Sequence, residues 1–335
     1  MGKYKTNKEF VSEVCSFPQM LEAARFLGEG LGKLKKPRVL FIAGMGGSAV
    51  SGDLLAEYLK DQVDLPIYII RSYSLPAFAK RGDLLIAVSY SGNTEETLSV
   101  LRAAEKKRLK IASITSGGKL KARAETKSYP LILLPQGFQP RSALPNILVA
   151  IIKVLERATI IKSKAKELEA AVKLICSLEK KWGYHIKKLA RELKSKIPII
   201  FSSNGTTAAI GYRYKTQFNE NAKVTAHLAQ FPELNHNEIV NLSYLKKGKH
   251  PFIALLLVAG NEHSRIKKRI KITCKLLSRN LGKIRKIEAR GNSPLERMLS
   301  LIYFGDLLTL YLALEKRVDP QDVAVIEKLK EALRK

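Results

Sequence analysis

The run Val39-Leu40-Phe41-Ile42-Ala43 is apolar throughout and stops abruptly at Gly44-Met45-Gly46-Gly47-Ser48-Ala49. Similar short runs recur at 67–70, 84–88, 111–115 and 131–134, with helical patterns between several of them. Apolar strands that alternate with helices bury both faces of a sheet, which points to parallel strands covered on each side. The alternation restarts at 197–201, enters the turn Ser202-Ser203-Asn204-Gly205-Thr206-Thr207, and continues through a helix at 208–219. Further strands are predicted at 224–226, 252–258 and 284–289. The fold class is therefore α/β, with two similar lobes, each a mainly parallel sheet flanked by helices.

The same pattern divides the chain. Residues 1–36 form a helical segment, 37–160 the first lobe, 161–196 a charged helical linker, and 197–335 the second lobe with its C-terminal helix. Asp319-Pro320 reads as the start of that last helix, with Asp as N-cap and Pro at the first helical position. The lobes repeat each other in pattern more than in identity, each opening with a strand that enters a glycine- and hydroxyl-rich turn.

The chain carries 59 Lys and Arg against 30 Asp and Glu, a formal charge of +29. That excess is spread along helical patterns, and no helix-turn-helix, zinc knuckle or aromatic-rich sheet accompanies it, so nucleic acid is the minority reading and a small anionic substrate the better one. The apolar run near 251–260 is of strand length, which gives no expectation of a membrane span. The first residues lack the apolar core of a signal peptide, so the expected location is cytoplasmic. Three scattered cysteines, Cys15, Cys176 and Cys274, suggest neither a disulfide framework nor a zinc cluster and read as buried fillers. The histidines are not in metal-ligand spacing; the expectation is no metal and no cofactor.

Two turns are candidates for an anion. Ser89-Tyr90-Ser91-Gly92-Asn93-Thr94 lies between an apolar strand and a helix, where unpaired backbone amides and the helix dipole favour a phosphate. An ordinary capped loop fits that stretch equally well when it is read alone. Gly46 and Gly47 let backbone approach a ligand closely. The turn at 44–49 also satisfies a loose dinucleotide fingerprint, but the acidic residue expected after the next strand is replaced by Arg71-Ser72, so a nicotinamide cofactor is poorly supported.

Taken together, Gly46-Gly47-Ser48, the serine loop and the duplicated α/β pattern resemble the sugar isomerase (SIS) domain family. Pro140-Arg141-Ser142, Phe218-Asn219-Glu220-Asn221-Ala222-Lys223, Glu233-Leu234-Asn235-His236-Asn237-Glu238 and the terminal Ile326-Glu327-Lys328-Leu329-Lys330 resemble, more narrowly, the bifunctional phosphoglucose/phosphomannose isomerases. The resemblance spans nearly the whole chain. It implies interconversion of glucose 6-phosphate and fructose 6-phosphate, with mannose 6-phosphate as a second aldose.

Roles follow from the match and from chemistry. Glu220 is the carboxylate suited to carry a proton between C2 and C1, and Arg141 a guanidinium for the enediolate charge. His236 and Lys330 are implied in ring opening. Gly46, Gly47, Ser48, Ser89, Ser91 and Thr94 match phosphate-binding positions. The equivalent histidine in the resembled family reaches in from a partner subunit, which implies a homodimer with His236 donated across the interface. A non-catalytic SIS-domain regulator that binds a sugar phosphate is the alternative reading. A glucosamine 6-phosphate synthase would need an N-terminal nucleophilic cysteine, and Cys15 is not so placed.

Overall fold

The computed structural model describes residues 7–333; the ends of the predicted segments 1–36 and 197–335, residues 1–6 and 334–335, lie outside the described residues. Among the described residues the elements run α1 (Asn7–Cys15), α2 (Phe17–Ala24), β1 (Leu40–Ala43), α3 (Gly46–Leu59), β2 (Ile67–Ile70), β3 (Leu84–Val88), α4 (Glu95–Lys106), β4 (Lys110–Thr115), α5 (Gly118–Thr126), β5 (Leu131–Leu133), α6 (Leu144–Arg157) and α7 (Ala165–Leu193). There follow β6 (Ile197–Ser203), α8 (Ala208–Glu220), β7 (His227–Phe231), α9 (Glu238–Tyr244), β8 (Phe252–Val258), α10 (Ser264–Leu281), β9 (Arg285–Glu288), α11 (Pro294–Lys316) and α12 (Ala324–Ala332).

The chain groups into two compact units. One holds Ser16–Leu174 with Ser293–Glu296; the other holds the residues up to Cys15, Ile175–Asn292 and those from Arg297 on. Each is built on its own sheet. The first is five-stranded in the order β2-β1-β3-β4-β5, the second four-stranded in the order β7-β6-β8-β9, and every pairing is parallel. The α/β class and the two parallel sheets are as the sequence pattern predicts. The two orders are the same arrangement, with one more strand on the first sheet. In each, the first strand lies between the second and the third, so the order reverses there.

Burial explains which strands were plain in the sequence. Every residue of β1 and of β3 is buried, as expected for central parallel strands covered on both faces. Their inner side chains, with Val100, Leu101 and Leu120 from the covering helices, form one core of the first unit. Ile199, Phe201, Ala254, Leu256 and Leu277 belong to the matching core of the second.

Three expectations are corrected and a fourth is refined. The strand predicted at 224–226 is instead β7, His227–Phe231, an outer strand that the polar His227 and Gln230 disguise. The last helix starts at Ala324, not at Asp319-Pro320: the Asp319 carboxylate accepts from the Gln321 amide at 2.9 Å and closes a turn, while Asp322 accepts from Ala324 at 3.0 Å. Among the described residues, the element that bears on a membrane span is α11 rather than the stretch near 251–260. It is long and apolar enough to cross a membrane by length and composition, but 78% of that window is buried inside the protein, as a core helix is. Finally, Cys176 is exposed and Cys15 only half-buried, while Cys274, also half-buried, packs against the core of the second unit.

Candidate active site

In the first unit two helix N-termini converge where the strand order reverses, the place where open α/β sheets bind ligands. Helix α3 begins at Gly46, so Gly46, Gly47 and Ser48 form its first turn. First-turn amides have no carbonyl within the helix to pair with. Met45 provides no side-chain cap, and Thr94 provides none for α4. The α3 end, with no acidic residue in its first turn, is open to an anion, whereas the α4 end already carries Glu95 and Glu96 there.

Close packing holds these turns together. A Cβ on Gly44 would stand 3.0 Å from both the Ser48 Cβ and the Val88 carbonyl oxygen, so glycine lets Ser48 sit beside the end of β3, where the serine loop begins. The Ser89 and Thr94 hydroxyls hydrogen-bond at 2.8 Å, and the Ser91 hydroxyl accepts from the Asn93 amide at 3.3 Å. Ser48 and Ser89 are buried and Ser91 exposed. Thr97, one helical turn further on, is buried beneath the loop rather than presented with it.

The loop rests on its neighbour after β4. Gly92 has φ +71° and faces the Gly117 carbonyl with no room for a side chain; Gly118, at φ +67°, likewise leaves no room for one against the Ser91 carbonyl. Across this contact the Leu120 amide donates to Gly92 at 2.9 Å and the Lys119 amide to the Asn93 side chain at 3.1 Å. Ser116 donates its hydroxyl to the Tyr90 carbonyl at 2.6 Å.

Tyr90 carries the order onward. Its hydroxyl donates to the Pro135 carbonyl at 2.8 Å and accepts from the Phe138 amide at 3.0 Å. The segment so pinned leads to Arg141, which is buried at 3% exposure. Its Cα would stand 3.3 Å from a Cβ on Gly47. Ser48, Ser89, Thr94, Gly47 and Arg141 are thus brought into one neighbourhood. Arg71, which follows β2 where a dinucleotide fold would place an acidic residue, is forked onto Asp53.

The second unit repeats the strand order but closes the corresponding seat. After β8 the amides of Ala259 and Gly260 both donate to the carboxylate of Glu262, a residue only 4% exposed. His263 then caps α10 by accepting from the Arg265 amide at 3.2 Å. An internal carboxylate occupies the place where the first unit has its serine loop.

This second unit carries the other predicted residues. Glu220 is the last residue of α8 and half-buried. Helix α8 is set against α11 by polar contacts: Arg213 forks onto Asp306 at 2.9 and 2.6 Å, and Asn221, which also donates to Gln217 of α8 at 2.8 Å, donates to Thr309 at 3.1 Å. Tyr214 donates to the Leu301 carbonyl at 2.8 Å, its ring lying in space that a side chain on Gly305 would fill. His236 follows the short 3-10 turn Glu233–Asn235 and is exposed. Lys330 lies on α12, exposed, with its ammonium on Glu327 at 2.8 Å. The Tyr90 bridge and the Glu262 plug were not foreseen from sequence.

Comparison with known proteins now bears on this arrangement. Residues 33–127 match the SIS domain family, and residues 185–333 match the bacterial phospho-glucose isomerase C-terminal SIS domain. A bifunctional phosphoglucose/phosphomannose isomerase from Caldicellulosiruptor bescii is 37% identical over 330 residues, covering 96% of this chain and 97% of that one. The chain belongs to the bifunctional phosphoglucose/phosphomannose isomerase family. A Thermoplasma acidophilum member is 39% identical over 297 residues, covering 88% of this chain and 89% of its own. The C-terminal domain of a Francisella tularensis glucosamine-fructose-6-phosphate aminotransferase superposes with a TM-score of 0.76 at 14% identity, over 96% of this chain and 99% of that one, a likeness of fold.

Proposed function

We propose that the protein interconverts glucose 6-phosphate and fructose 6-phosphate, and accepts mannose 6-phosphate as a second aldose, through a cis-enediolate. The observation that carries this reading is the open seat at the first sheet's switch point, where two uncapped helix N-termini meet the hydrogen-bonded hydroxyls of Ser89 and Thr94. Membership of the isomerase family supports the reaction class.

The substrate phosphate takes the amides of Gly46 and Gly47 and the hydroxyls of Ser48, Ser89, Ser91 and Thr94. Glu220 removes the C2 proton and returns it to C1; a carboxylate does this without changing position. As the proton leaves, negative charge develops on the oxygens at C1 and C2, and the Arg141 guanidinium stabilises it. Loss of the C2 proton erases its configuration, so one intermediate serves both epimeric aldoses. His236 and Lys330 move protons at the ring oxygen and O1 to open the sugar; for this, Lys330 exchanges its Glu327 partner for substrate.

We further propose a homodimer in which His236 serves the partner's site. Its exposure supports this, as does the bare apolar face of α12, where Val325 is 76% and Leu329 59% exposed. Glucose 6-phosphate and mannose 6-phosphate, incubated separately in heavy water, test the reaction. Both should give fructose 6-phosphate, with deuterium entering C2 of recovered aldose. Glu220→Gln should keep phosphate-dependent binding and lose deuterium exchange. Binding without turnover by the unaltered protein would favour a sugar-phosphate regulator instead.

A further inference from the structure

Lys223 stands three residues beyond Glu220 in a backbone conformation rare for a side-chain-bearing residue, φ +54°. From there its ammonium reaches two main-chain carbonyls, that of Glu220 at 2.6 Å and that of Asp322 at 2.7 Å. The first is a carbonyl of the final turn of α8, which no helical amide can satisfy and which a cation suits. The second belongs to the residue whose carboxylate starts α12 by accepting from Ala324. One ammonium therefore joins the end of α8 to the beginning of α12.

The join matters because, within its own chain, α12 has little else to hold it. The helix buries none of its side chains, unlike α8, which is locked to α11 by Arg213, Tyr214 and Asn221. A helix that buries no face within its own chain draws its position in that chain from its tethers, and such elements open with little free energy. Two hydrogen bonds from a charged donor are the stronger kind.

We infer that Lys223 is a positioning residue: by gripping the Glu220 and Asp322 carbonyls together it fixes α12, and with it Lys330, relative to the helix end that carries Glu220. This rests on the proposed isomerase reading for its effect on turnover, whereas the tether itself is a property of the fold. The left-handed conformation at Lys223 accompanies this reach to both carbonyls.

The test uses the full chain with Lys223→Met and Lys223→Arg. Amide exchange of residues 324–332 reads the tether directly, and steady-state kinetics with fructose 6-phosphate read its consequence. Lys223→Met should raise exchange in α12 by about tenfold or more. It should lower kcat by roughly tenfold while KM changes by less than about twofold, because the phosphate seat is built from other residues. Lys223→Arg, which can still donate to both carbonyls, should restore part of both. Unchanged α12 exchange in a folded Lys223→Met protein would overturn the inference, as would a loss of KM and kcat together that tracks a general fall in melting temperature. An unaltered protein without isomerase activity would defeat the functional reading, and the exchange measurement would still decide the tether.

Discussion

The Cα of Arg141 lies 3.3 Å from the point that a β-carbon on Gly47 would occupy, and the Pro140 carbonyl oxygen lies 3.1 Å from it. The first turn of α3 and the backbone of the predicted charge-stabilising arginine are therefore in contact through a missing side chain. Gly47→Ala must push the 140–141 backbone by a few tenths of an ångström. Catalytic groups tolerate little displacement, so kcat should fall by roughly tenfold with a small effect on folding. Kinetics and a thermal melt on the same sample check this; unchanged kcat would mean that Arg141 is not held by this contact in the way the geometry indicates.

Tyr90 makes a second, separable link to the same segment. Tyr90→Phe removes the hydroxyl that donates to Pro135 and accepts from Phe138 while keeping the buried ring. An amide deprived of its partner costs about 1–3 kcal/mol when water cannot replace it. The variant should lose stability in that range by urea unfolding. It should also weaken turnover more than phosphate binding, since Ser89 and Thr94 keep their own bond.

Much of this architecture is readable from residue order, for physical reasons that also mark where reading stops. Central strands such as 84–88 are continuous apolar runs because both faces are covered, whereas β7 carries His227 and Gln230 at the edge of its sheet and loses that signal. The glycines at 46, 47 and 92 are visible as turn residues. What they touch is not: the Gly92–Gly117 contact joins loops from different strands, and the Tyr90 bridge spans 45 residues. Glu262 reads as one more acidic loop residue until its two amide partners are known. Asp319-Pro320 has a fitting start pattern, yet the Asp319 carboxylate turns the chain locally and α12 begins beyond it.

Glu262 makes the difference between the two switch points testable. Glu262→Ala leaves the Ala259 and Gly260 amides without the carboxylate that satisfies them, at a cost of about 1–3 kcal/mol for each orphaned group. Inorganic phosphate supplies the same oxygens. The variant should melt lower than the unaltered protein, and millimolar phosphate should raise its melting temperature by more than it raises that of the parent. Calorimetric titration should show a second phosphate per chain. Equal phosphate shifts in the two proteins would show that Glu262 does not fill a latent anion seat.

The phenol of Tyr58 gives an alkaline signature. Burial, with Glu167 accepting its hydrogen bond at 2.9 Å, pushes it up to about 12 against the opposing influence of Lys164. The folded chain then keeps a proton that the unfolded chain releases near pH 10. Stability that is present below pH 10 should be lost as pH rises toward 12. Tyr58→Phe should be less stable at pH 8 through loss of the hydrogen bond, but its stability should fall less steeply between pH 10 and 12. Urea unfolding across that range measures both slopes, and parallel slopes would remove Tyr58 as a cause.

The apolar face of α12 bears on assembly. Val325, Ile326, Leu329 and Leu333 are 76, 40, 59 and 63% exposed, spaced so that they share one side of the helix. Solvating such a stripe is unfavourable, by about 25 cal/mol for each Å² of apolar surface left in water. If a second copy of the chain covers it, the double substitution Val325→Ser, Leu329→Ser should shift sedimentation from dimer to monomer without lowering the melting temperature of the isolated chain. Turnover should fall in the same variant, because the proposed role of His236 requires the partner. Restoration of activity at high protein concentration would connect the loss to assembly rather than to Lys330 on the same helix. A variant that remains dimeric and fully active would place the interface elsewhere.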